Sequence, residues 1–309
     1  MKPLVIALGL ALFLSGCTNP SEKSTTVVVS SQNYANIAKS LMGDNPAAQF
    51  DVHVLLSNDA VDPHEFEPSA KDKLAVSQAS AVFYAGSDFD SFVDPLLASV
   101  NFDQDFVINS SHFVKERFAS CATELCLEKS RNPHLWFDLD VISSSAKALT
   151  ALYIELKPEQ KADYEKASNQ FQNKIKALKK KQDLIASRTK TLTFFAPEAI
   201  ANVLLLEIGL TNASSKTISD KIANEVELSL VEMQQTKDQI LSQEVTVFVA
   251  NQQVESDQAR QLQDVAESAG VAVVFFGENS LCANKSEKFL DCFDKKIDDL
   301  AQLLGIAVD

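Results

Sequence analysis

Short apolar runs separated by amphipathic stretches organise most of the chain. Thr26 to Ser30 is β-branched and flanked by polar residues, so it reads as a buried strand. Asn33 to Leu41 has helical spacing, Phe50 to Leu56 alternates as a second strand, and Lys71 to Gln78 is helical. Ala81 to Tyr84 predicts a third strand, Asp90 to Ser99 a helix, and Phe106 to Ile108 a short fourth strand. Residues 158–189 differ. Pro158 suits a helix start, and Tyr164, Ala167, Phe171, Ile175, Leu178 and Ile185 recur in steps of three and four, with a gap at Gln182. The spacing predicts one long amphipathic helix of ~30 residues; a single such stretch in an α/β chain argues against a coiled coil. The alternation then restarts: strand at Thr191–Phe195, helix at Ile200–Ile208 closed by Gly209, helix over most of Val226–Leu241 and strand at Val245–Ala250. Helix at Asp257–Ala269, strand at Val271–Phe276 and helix at Ser286–Leu304 complete it. The expected fold is α/β: two Rossmann-like lobes, 26–155 and 190–309, joined by one long rigid helix at 156–189.

The start of the chain bears on compartment. Met1 and Lys2 precede a nearly apolar run, Leu4 to Leu14, which has signal-peptide length and is too short for a membrane span. Leu14-Ser15-Gly16-Cys17 follows and looks like a bacterial lipobox, in which the cysteine thiol takes a diacylglycerol and becomes the new N-terminus. Residues 1–16 are therefore expected to be a signal peptide, and 17–25 a polar tether behind a lipidated Cys17. No later segment approaches ~18 consecutive apolar residues. With 42 acidic against 28 basic residues the formal charge is −14, which disfavours nucleic acid and anionic membrane surfaces as partners and suits a domain that handles cations.

Four cysteines remain, Cys121 with Cys126 and Cys282 with Cys292. In an exported chain two local disulfides are expected, with free thiols the alternative; the spacings do not match zinc knuckles, and no histidine sits between either pair.

The chain has four histidines, His53, His64, His112 and His134. His64 lies in Asp62-Pro63-His64-Glu65-Phe66-Glu67-Pro68, where proline on both sides forces a non-helical loop after the second strand. His134 lies in Asn132-Pro133-His134-Leu135-Trp136. Imidazole is the commonest neutral ligand of transition metals, although a lone histidine is more often structural.

These two loops, in this order and before a long helix, resemble the substrate-binding proteins of zinc- and manganese-importing ABC transporters. The resemblance extends over essentially the whole mature chain and takes in Ala85-Gly86-Ser87 with Phe92. It implies two-lobed capture of Zn2+ or Mn2+, delivery to an ABC permease, a monomer anchored to the membrane by lipid, and no catalysis. It implies His64 and His134 as ligands from one lobe. The family's third ligand stands eleven residues before the glycine of a Tyr-Gly-Leu; counting back from Gly209 reaches Glu198, the carboxylate version. The fourth is acidic and follows the last strand. One alignment gives Glu278 and another gives Asn279; the carboxylate is the better dication ligand, so Glu278 is expected. Many zinc-binding members carry a histidine-rich mobile loop, whereas residues 113–131 here contain none. The competing readings are a zinc-dependent hydrolase, for which no His-Glu-x-x-His is present, and a surface adhesion lipoprotein.

Overall fold

The computed structural model describes residues 25–58, 61–63, 65–115, 120–242, 244–253 and 256–307. Cys17, the signal segment and His64 lie outside the described residues.

The first lobe opens with β1 (Thr26–Ser31), α1 (Gln32–Ser40), β2 (Asp51–Leu56), α2 (Ala70–Gln78), β3 (Ala81–Tyr84), α3 (Val93–Ser99) and β4 (Val107–Asn109). All four strands pair in parallel in the order β2-β1-β3-β4. A parallel sheet is covered on both faces, which is why β1 and β3 are nearly continuous runs of Val, Ala, Phe and Tyr. Next come α4 (Glu124–Arg131), α5 (Leu139–Leu156) and α6 (Lys161–Ala186). The second lobe contains β5 (Thr193–Phe195), α7 (Asn202–Glu207), β6 (Thr211–Asn212), α8 (Lys216–Ala223), α9 (Leu230–Leu241), β7 (Val247–Asn251), α10 (Asp257–Ser268), β8 (Ala272–Phe276) and α11 (Phe289–Leu303). Its four strands are also parallel, in the order β6-β5-β7-β8. Both sheets thus place their second strand outside their first, and the expected α/β class with a long connecting helix holds.

The long helix is shorter than its apolar spacing predicts. Pro158 opens a single 3₁₀ turn, Pro158–Gln160, and α6 proper runs 26 residues, about 39 Å. Every apolar position named for it is buried, and so is Gln182 in the gap. Gly209 closes α7 at φ +86°; a Cβ there would lie 2.6 Å from Thr189 Oγ1 and 2.8 Å from Ala186 Cα, so only glycine lets this turn press against the end of α6. The lysines of α6 pin it to both lobes, Lys179 to Asp140 at 2.7 Å and Lys181 to Asp294 at 2.6 Å.

The 18-residue α5 was not anticipated. Asp138 caps it by accepting hydrogen bonds from Asp140 N and Val141 N, and it buries Val141, Ile142, Ala146, Leu149 and Tyr153. One hydrophobic cluster runs through both lobes, from Val27 and Phe83 past Ile142, Phe171 and Ile175 to Phe194 and Phe293. Two smaller clusters cover the outer sheet faces, one around Val82 and Leu97, the other around Phe248 and Leu262. Cys121 is bonded to Cys126 and Cys282 to Cys292, as expected of an exported chain. The Glu287 carboxylate lies beside the second pair, but sulfurs bonded to each other are not thiolate donors, so these three residues form no metal site. Among the described residues no helix is long and apolar enough to cross a membrane.

Candidate metal site

The C-terminal ends of both sheets face each other across the interlobe cleft, and the loops after the strands carry the polar residues. His134 stands at the start of a 3₁₀ turn, Leu135–Phe137, whose three side chains are all buried. Trp136 packs edge-on to the His134 ring at 5.3 Å between centroids, and Phe89 lies edge-on to Trp136 at 4.6 Å. The imidazole is therefore walled by aromatics on the side away from the cleft. Asn132 Oδ1 is 2.9 Å from Nδ1 and also accepts the His134 backbone N–H at 2.8 Å. An amide oxygen can only accept, so Nδ1 carries the proton and Nε2 keeps its lone pair. Nε2 is buried without a hydrogen-bond partner, 3.8 Å from Glu278 Oε1.

Glu198 follows β5, and Glu278 follows β8. Asn251, the last residue of β7, joins them: its Nδ2 donates to Glu198 Oε2 at 2.7 Å and to Glu278 Oε1 at 2.8 Å. Burial pushes the Glu198 carboxyl up to about 7, and the nearby Glu278 and Asp62 charges add to it, while Asn251 and His134 act in the opposite sense. Three of the four residues expected from the sequence are thus brought together from distant parts of the chain. Val61, just before the first Pro-His loop, accepts a hydrogen bond from Asn279 of the loop that carries Glu278 at 3.0 Å; His64 itself is outside the described residues. Phe66 of that loop packs on Phe92 at 4.7 Å, which explains why an aromatic residue follows the histidine.

Asn279 is tied between the lobes through its Nδ2 and its backbone, while its Oδ1 is buried without a hydrogen-bond partner. Its Nδ2 donates to Val61 O at 3.0 Å, its backbone carbonyl accepts from Asn33 N at 3.0 Å, and it is fully buried. Asn33 Nδ2 also donates to Glu278 O at 3.0 Å, and its Oδ1 accepts from Leu281 N at 2.7 Å. The loop after β8 is therefore sewn to the N-terminus of α1 in the opposite lobe. On the other rim Asn132 Nδ2 donates to Ala199 O at 2.7 Å, Asn202 Nδ2 to Glu128 Oε1 at 2.9 Å, and Lys129 reaches Glu207 at 2.5 Å. These contacts hold the lobes closed. The remaining histidines lie elsewhere: His53 on β2 pairs with Asp72 at 3.4 Å, and His112 is exposed in a turn after β4.

A family model described as ZnuA, zinc-uptake complex component A, periplasmic, matches residues 27–303. The chain belongs to this family. Among its curated relatives are the metal ABC transporter substrate-binding lipoprotein SloC of Streptococcus mutans, 28% identical over 187 residues, and the zinc-binding lipoprotein AdcA of Streptococcus pneumoniae, 24% identical over 229 residues. The first match covers 58% of this chain and 60% of SloC, the second 70% of this chain and 44% of AdcA. This chain therefore spans less than two thirds of either relative. Its fold is similar to the laminin-binding adhesin Lmb of Streptococcus agalactiae, with TM-score 0.69 and 19% identity over 90% of this chain and 98% of that one. It is equally similar to the periplasmic zinc-binding protein TroA of Treponema pallidum, with TM-score 0.69 and 17% identity over 90% and 98%. At that identity the likeness speaks for fold alone. Within this ZnuA-family chain the residue that sequence reasoning missed is Asn251. An asparagine ending a strand carries no motif, and its role arises only from where β5, β7 and β8 bring their ends.

Proposed function

We propose that this protein is an extracytoplasmic solute-binding lipoprotein. It captures one divalent transition metal, zinc or manganese, between its lobes and hands it to the permease of an ABC importer. It works as a monomer, anchored through the lipid on Cys17, and performs no catalysis. The metal is cargo, held by His64 and His134 from one lobe and by Glu198 and Glu278 from the other. The observation that carries this reading is the convergence of a buried, correctly tautomerised His134 Nε2 with the buried Glu278 and half-buried Glu198 carboxylates. Two like charges so close are costly out of water unless a cation joins them. Two neutral imidazoles and two carboxylates balance a dication, and lobes that close over it exclude water. Glu278 is favoured over Asn279 because its Oε1 lies 3.8 Å from His134 Nε2 and because a carboxylate binds a dication better than an amide.

The test is metal binding by the purified full chain. One ion per chain is expected, with stabilisation of ~2.7 kcal/mol at a hundredfold excess over Kd. His64→Ala and His134→Ala should abolish the zinc-induced thermal shift, and Glu198→Ala and Glu278→Ala should weaken manganese proportionally more. His53→Ala and His112→Ala should leave it intact. A full shift retained in His134→Ala would refute this site. Cys17→Ala should release the protein from the detergent phase.

A further inference from the structure

The single amide nitrogen of Asn251 meets both carboxylates. Its orientation is not free to invert. Asn251 Oδ1 accepts the backbone N–H of Gln253 at 3.0 Å, so Nδ2 must face the glutamates. Gln253 in turn accepts the backbone N–H of Glu278 through Oε1 at 2.6 Å, which ties the Asn251 turn to the very loop it serves. An amide nitrogen has two hydrogens, and here each is spent on a different carboxylate.

We propose that Asn251 is a positioning residue that sets metal selectivity, on the reading that Glu198 and Glu278 are ligands. A carboxylate with one oxygen anchored to a fixed N–H cannot swing to give both oxygens symmetrically to a cation. Each glutamate then contributes a single oxygen, and with two imidazoles the ion receives four donors. Four donors of mixed nitrogen and oxygen suit zinc, which is content with tetrahedral coordination. Manganese is a harder ion that favours six, mostly oxygen, ligands, and gains when carboxylates bind through both oxygens. Asn251 therefore favours zinc over manganese by restraining oxygens, without being a ligand. It also keeps two like charges at one cleft before any ion arrives.

The experiment measures zinc and manganese Kd of the full chain, by chelator competition, for wild type and Asn251→Ala. Loss of an outer partner of metal ligands costs 10–100-fold in affinity. Zinc binding should weaken by roughly that factor. Manganese affinity should be unchanged or gain, so the zinc-to-manganese affinity ratio should fall at least about tenfold, from the same loss. A purely structural asparagine would weaken both ions alike, so an unchanged ratio overturns the proposal. Should Asn251→Ala fail to fold, Asn251→Ser, too short to span both carboxylates, provides the same comparison under the same criterion. Wild-type protein that binds neither ion would instead sink the binding site itself, whereas intact wild-type binding with an unchanged ratio sinks only the role of Asn251.

Discussion

Replacing Asn33 by alanine should loosen the closed cleft more than it weakens either lobe. The side chain contributes two hydrogen bonds to the loop after β8, to Glu278 O and from Leu281 N, and neither can be remade by alanine; the backbone bond from Asn33 N to Asn279 O survives. Each bond is worth about 0.5–1.5 kcal/mol net, and a buried group left without a partner costs about 1–3 kcal/mol. The loss in the closed state is then about 2–6 kcal/mol if the cleft stays dry. It is capped wherever the lobes part enough for water to reach the two orphaned groups. Because these bonds run between lobes, most of the loss should appear as faster opening. Each 1.4 kcal/mol is a factor of ten, so metal release should quicken by ~30-fold or more. The assay is stopped-flow transfer of bound zinc to a chromophoric chelator, alongside urea unfolding of the metal-free protein. If unfolding stability drops by the full amount while the release rate stays at the wild-type value, the contacts belong to the fold and not to closure.

Asn132→Ala removes the acceptor at His134 Nδ1 and the bond to Ala199 O, so zinc affinity measured by competition should fall about 10–100-fold. Asp90 is fully buried, and burial pushes its carboxyl to about 6 despite hydrogen bonds from the backbone of Ala85 and Gly86. The folded value stands above the ordinary 3.8, so the native state holds this proton more tightly than the unfolded state does. Stability from this group is fully present below about pH 4 and is lost as pH rises through about 6, by about 3 kcal/mol at most. In Asp90→Asn that slope should vanish from the urea midpoint measured against pH, and a slope that persists would assign it elsewhere. Reducing the Cys282–Cys292 bond, which closes a loop of sequence separation 10, should cost about 3 kcal/mol on the chain-entropy account, read as a lower melting temperature in Cys282→Ser/Cys292→Ser.

The parts of this protein that were legible in its sequence are those in which one local period or one local motif suffices. The buried strands of both sheets announce themselves as short β-branched and aromatic runs, because a parallel strand hides both faces. The face of α6 could be read from its 3.6-residue spacing, whereas His134 and Glu198 became candidates only through the resemblance of their segments to a family, Glu198 by a count back from Gly209. The same logic would have found α5, whose Asp138 cap and buried Ile142, Ala146 and Leu149 are ordinary helix signals; its three serines, Ser143 to Ser145, masked the period. What only the tertiary structure decided is how residues far apart in the chain share one cleft. Asn251 lies 53 residues from Glu198 and 27 from Glu278, and Asn33 lies 245 from Glu278. An asparagine amide suits a turn, a cap or a surface equally well, so nothing local distinguishes these two from the others. Asn251 depends on where β5, β7 and β8 bring their ends within one lobe, and Asn33 on hydrogen bonds across the cleft, and both arrangements exist only in the folded chain.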